Sequence, residues 1–83
     1  MPWRLEYTES ARRDLRDLDH AVAQQVLRKL DSVKGDPMRS MKRLKGGRDW
    51  RLRVGDWRVI VRIDAASELA TVLRVGHRSV VYD

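Results

Sequence analysis

The 83-residue sequence contains no cysteine, which excludes both a disulfide framework and a thiolate-held metal. The fold has to stand on its own interior. Only two histidines occur, His20 and His77, far apart and without a paired carboxylate motif, so no recognisable metal site remains and neither metal nor cofactor is expected. No apolar run of about eighteen residues is present, and the opening residues Met1, Pro2, Trp3, Arg4, Leu5 and Glu6 include none of signal length. The expectation is a soluble cytoplasmic protein with no membrane association. Internal repeats, low-complexity tracts and linkers are missing too. The length fits one domain, 1–83, with a thin core and modest stability.

What the sequence has in excess is positive charge, with 18 Lys and Arg against 12 Asp and Glu and a formal net charge of +6. The excess is unevenly placed. Residues 1–37 hold seven basic and seven acidic side chains, whereas 38–83 hold eleven against five. The second half therefore presents a field suited to a phosphate backbone or an acidic protein.

The spacing of apolar residues predicts the elements. Trp3, Leu5 and Tyr7 alternate with Arg4 and Glu6, the period of a half-buried strand. Ala11, Leu15, Leu18, Val22, Val26, Leu30 and Val33 then recur at helical spacing, with Thr8 or Ser10 as N-cap. Neither Gly nor Pro falls between Glu9 and Lys34, so one long helix and a two-helix hairpin fit the pattern equally. Ordinary helix lengths favour the hairpin, with Asp19 as the second N-cap. Lys34, Gly35, Asp36 and Pro37 mark the end, where Gly supplies a left-handed cap and Pro forbids continuation. Met38 to Asp49 is basic and reads as an irregular connection. Three strands are expected after it, Trp50 to Val54, Trp57 to Asp64 and Leu69 to Val75, the first two joined by the hairpin signal Gly55-Asp56. The order indicates an α+β fold: an N-terminal strand, two helices, then an antiparallel β-meander, with the helices packed on one face of the sheet.

A two-residue turn at Gly55-Asp56 fixes a register in which Val54 faces Trp57, Arg53 faces Arg58 and Leu52 faces Val59. Trp50, Leu52, Val54, Trp57, Val59, Val61 and Ile63 then share one apolar face, and Arg51, Arg53, Arg58 and Arg62 share the other. Arginine directly opposite arginine destabilises a strand pair by about 0.2 to 1 kcal/mol, a cost relieved by an anion held between the two forks. Near the C-terminus follow Gly76, His77, Arg78, Ser79, Val80, Val81, Tyr82 and Asp83, adding an imidazole, a guanidinium and a phenol. Such groups serve RNA cleavage: a base takes the 2′-hydroxyl proton, cations stabilise the phosphoryl oxygens, and an acid protonates the leaving oxygen. Either His77 or Tyr82 can act as the proton acceptor.

These residues resemble the RelE branch of the RelE/ParE toxin superfamily. The likeness is carried by Leu44-Lys45-Gly46, by Asp49 to Val54 running through Gly55-Asp56 into Trp57-Arg58-Val59-Ile60-Val61, and by Val75 to Tyr82. Some members have lysines where Arg51 and Arg53 stand. The resemblance implies a metal-independent endoribonuclease that cleaves messenger RNA in the ribosomal A site, where 16S ribosomal RNA orients the substrate, and that an antitoxin silences. It implies catalytic roles for Arg58, His77, Arg78 and Tyr82, with Tyr82 as base and His77 as acid or orienting group. Lys45, Arg51 and Arg53, with Arg62 on the same face, would position the RNA. An acidic, partly disordered antitoxin would complement the basic half and fold on binding. Two other readings share these features: a ParE-like toxin that inhibits gyrase, and a non-catalytic RNA-binding module.

Overall fold

The computed structural model describes residues 3–77. The strand β1 (Arg4–Tyr7) leads into the helices α1 (Glu9–Asp17) and α2 (His20–Val33) and the four-residue helix α3 (Pro37–Ser40). Four strands follow: β2 (Lys42–Arg43), β3 (Asp49–Val54), β4 (Trp57–Asp64) and β5 (Leu69–His77). All five strands form one sheet in the order β1-β5-β4-β3-β2.

The chain breaks into a helical hairpin because Leu18 takes an extended conformation, ψ 153°, and Asp19 stands as N-cap of α2 without a side-chain capping bond. Thr8 caps α1, its hydroxyl oxygen accepting from the Ala11 N–H at 3.0 Å. The predicted stripe is the one that buries. Ala11, Val26, Leu30 and Val33 enter the core with Leu52, Val54, Val59, Val61, Val72 and Val75 of the sheet, and Leu15, Leu18 and Val22 pack against it. Full burial of each Leu or Val contributes about 1.5–3 kcal/mol, and Leu30, Leu52, Val26, Val59, Val61 and Val72 are all fully buried.

Two expectations are corrected, and the pairing of the N-terminal strand is set. The sheet is mixed, because β1 runs parallel to β5 with Leu5 beside Ala70 and Tyr7 beside Val72. The stretch expected to be irregular contains α3 and β2, with Lys42 and Arg43 paired to Arg51 and Trp50. Gly35 is not left-handed, positive φ among glycines being confined to Gly46 and Gly55 within the described residues. The Lys34 carbonyl is taken instead by the Trp3 N–H at 3.0 Å, so the helix end is satisfied by the chain entering β1.

The end of β5 also departs from a plain ladder. Ile60 faces Arg74 and Val61 faces Val72, leaving Leu73 as a bulge. Beyond Val72 the strand has no β1 neighbour, and α1 supplies the missing partners. The Thr8 hydroxyl donates to the Leu73 carbonyl at 2.9 Å, and the Asp14 carboxylate accepts from the Val75 N–H at 2.9 Å. Asp14 also takes the Arg74 guanidinium at 2.8 Å, and that bond holds Arg74 above its ordinary pKa. Burial raises the pKa of the Tyr7 phenol, with Asp31 adding to the shift and Lys34 opposing it.

Candidate functional site

The helices cover one face of the sheet, and the other carries three rows of side chains running across the strands. Nearest the Gly55-Asp56 turn, Arg53 is paired with Arg58, which is paired with Gly76. Two residues further along β3, Lys42, Arg51, Ile60 and Arg74 form the second row across β2, β3, β4 and β5. The third row is Asp49, Arg62, Thr71 and Glu6. Rows are spaced by about 6.8 Å, two residues of an antiparallel strand.

Their charges differ in kind. Row one sets Arg53 directly across from Arg58, and Gly76 adds no side chain beside them. Nε and Nη1 of Arg58 are withdrawn from solvent, which strengthens any electrostatic contact they make. In row three Arg62 donates from Nε to Asp49 at 3.0 Å and Glu6 adds a second carboxylate, so that row has no excess of positive charge. Row two has Ile60 at its centre, only 8% exposed although it lies outside the core cluster. The open face therefore grades from cationic at the turn to balanced at the opposite end.

The sequence-predicted residues divide accordingly. Arg51, Arg53 and Arg58 are brought together. Arg62 shares their face but is engaged with Asp49. Lys45 lies in the loop between β2 and β3, beside a hollow of about 530 Å³ lined by Arg43, Leu44, Gly46, Gly47 and Arg48. Four residues of β3, about 14 Å, separate that end of the sheet from the Arg53–Arg58 pair. His77 is the strand partner of Trp57, not of Arg58, and meets the indole edge to face at 5.4 Å. Strand alternation places it with Trp57, on the opposite side from the arginines. Arg78 and Tyr82 lie outside the described residues.

Two groups of cations were missing from the sequence expectation. Lys42 joins row two through β2, an element too short to show periodicity. Arg28 and Lys29 of α2, with Gln25, line a groove of about 460 Å³ that Arg53, Val54 and Gly55 complete. They read in sequence as ordinary solvated positions, and only the packing of α2 against the hairpin sets them beside Arg53. Among the described residues no three His, Cys, Asp or Glu side chains are placed to hold a metal ion, and no helix is long and apolar enough to cross a membrane.

A family model for the ParE toxin of type II toxin-antitoxin systems matches residues 5–82. The chain belongs to the RelE/ParE toxin superfamily. It is similar to Toxin RelG of Mycobacterium tuberculosis, with 31% identity over 85 residues that cover 99% of this chain and 98% of the relative. A RelBE toxin-antitoxin complex from the same organism contains a chain of TM-score 0.84 and 29% identity, with 95% of this toxin and 94% of that chain covered. The archaeal RelE–RelB complex of Pyrococcus horikoshii is alike in fold, with a TM-score of 0.81 at 22% identity over 98% of this toxin and 100% of that chain. This toxin thus shares its strand, helical hairpin and meander with RelE-type toxins.

Proposed function

We propose that this toxin is an endoribonuclease that cleaves messenger RNA in the ribosomal A site and is silenced by a cognate antitoxin. The observation that carries the reading is Arg53 set directly across from Arg58 on the sheet face opposite the helices, with part of the Arg58 guanidinium drawn out of water. That arrangement suits a phosphate gripped between two planar forks.

In the proposed reaction the 2′-hydroxyl oxygen attacks the adjacent phosphorus, the bond to the 5′ oxygen breaks, and a 2′,3′-cyclic phosphate remains. Tyr82 takes the hydroxyl proton. Arg58 and Arg78 neutralise charge building on the phosphoryl oxygens, a kind of stabilisation typically worth about 10²–10³ in rate per donor. Arg51 and Arg53 fix the backbone, and Lys45 touches the strand further out. Arg62 borders the track through its pair with Asp49. The 5′ oxygen takes a proton as it leaves, from His77 or from water, and His77, packed on Trp57, also orients the start of the tail. The cations come from the protein, so no step calls on a metal. A small enzyme without a strong general base gains much from a substrate positioned by another body, and the ribosome supplies that orientation.

Solved relatives are toxin-antitoxin complexes, and the net charge of +6 suits an acidic partner that orders on binding. Because the matching family model is named for ParE, gyrase inhibition is the second reading. Primer extension on a translated message, run beside a gyrase supercoiling assay, separates the two. We expect strand breaks that disappear in Arg58→Ala and in messages with a 2′-deoxy sugar at the cut, with supercoiling unaffected. Equal cleavage of deoxy-substituted message would overturn the chemistry, and inhibited supercoiling without cleavage would establish the ParE reading.

A further inference from the structure

We propose that Lys42 is a substrate-positioning residue: with Arg51 it holds a second phosphate of the RNA, one nucleotide away from the phosphate gripped by Arg53 and Arg58. The inference rests on the reading of the open face as an RNA site.

Three observations carry it. Met41 is buried in the core at 6% exposure, so alternation along the chain turns Lys42 to the open face, where its strand partner is Arg51. Lysine opposite arginine repeats, one row over, the like-charged pairing of Arg53 with Arg58. The two pairs are offset by two residues of β3, about 6.8 Å, a step comparable to that between neighbouring phosphates of an extended strand. Two pairs of cations set one row apart, at the period of a polyanion, make a track.

The surroundings give the track its limits. One row further, Asp49 answers Arg62 at 3.0 Å and Glu6 stands at the β1 end. Carboxylates there repel a third phosphate on that line. The order β1-β5-β4-β3-β2 makes β2 the sheet edge, so Lys42 is placed where a strand leaves the site over open solvent.

The test measures binding of a short 2′-deoxy oligonucleotide, which is not cleaved, by fluorescence anisotropy between about 50 and 200 mM salt. We expect Lys42→Ala to weaken binding several-fold at the lower salt and to reduce the slope of log K against log salt by about 0.7, one single-strand phosphate. Lys42→Arg should restore both. Arg39→Ala, which removes an equal charge from α3 outside the sheet, should leave the slope unchanged. In ribosomal cleavage Lys42→Ala should raise KM with kcat kept within about twofold, as for loss of uniform binding. If wild type binds but the slope survives Lys42→Ala, or falls equally in Arg39→Ala, the inference fails while the RNA site stands. If wild type shows no salt-dependent binding, the RNA reading itself fails. Weakened binding of an acidic antitoxin with oligonucleotide binding intact would assign Lys42 to a protein interface and overturn the proposal.

Discussion

Two guanidinium groups that face each other across a strand pair repel, and the repulsion persists at every physiological pH because arginine does not deprotonate. On the proposed RNA-binding reading, Arg53 trades stability against binding. Replacing Arg53 by Thr, a good strand former, should stabilise the RNA-free protein by about 0.2–1 kcal/mol while weakening oligonucleotide affinity. Urea denaturation and anisotropy on the same preparation check both signs, and a variant that loses stability would show that the pair is already compensated within the protein. The opposition of these two arginines is legible in the sequence, since Gly55-Asp56 fixes the register and alternation does the rest. Lys42 is not, because two residues carry no period. Nor is the side taken by His77, which depends on where the Leu73 bulge falls.

The last strand shows how one element is held by another. β5 is paired on both sides as far as Val72, and past that point its outer edge depends on α1. Asp14→Ala leaves the Val75 N–H without its acceptor, a loss of about 1–3 kcal/mol for a part-buried donor. It also removes the Arg74 ion pair, which is solvent-exposed and adds little. For a domain of this size each kcal/mol lowers Tm by roughly 4–8 °C. A thermal melt of Asp14→Ala beside Asp14→Asn, which keeps an acceptor, separates the backbone bond from the charge: we expect Asn to recover most of the loss. No local pattern announces this brace, because Asp14 and Val75 lie at opposite ends of the chain. The helical stripe that carries α1 onto the sheet, in contrast, is plain from Ala11 to Val33.

A chain with a net charge of +6 and a thin core repels itself when compact, and any polyanion that binds only the folded form shifts the balance toward it. A non-cleavable oligonucleotide at about a hundred times its Kd should stabilise the fold by about 2.7 kcal/mol. The accompanying rise in Tm should shrink as salt weakens binding. An unchanged Tm under saturating oligonucleotide would mean that the cationic face does not bind nucleic acid in the native state. Residue order alone was enough for the α+β class, the apolar stripe of the helical region, the register across Gly55-Asp56 and the sorting of arginines from core residues. Each of these follows from steric rules or periodicities acting over a few neighbours. The parallel pairing of β1 with β5, the bulge at Leu73, the recruitment of Lys42 through β2 and the approach of Arg28 and Lys29 to Arg53 came from packing. These join segments distant in the chain, whose pairing is chosen by which edges and faces remain to be covered once the local elements have formed.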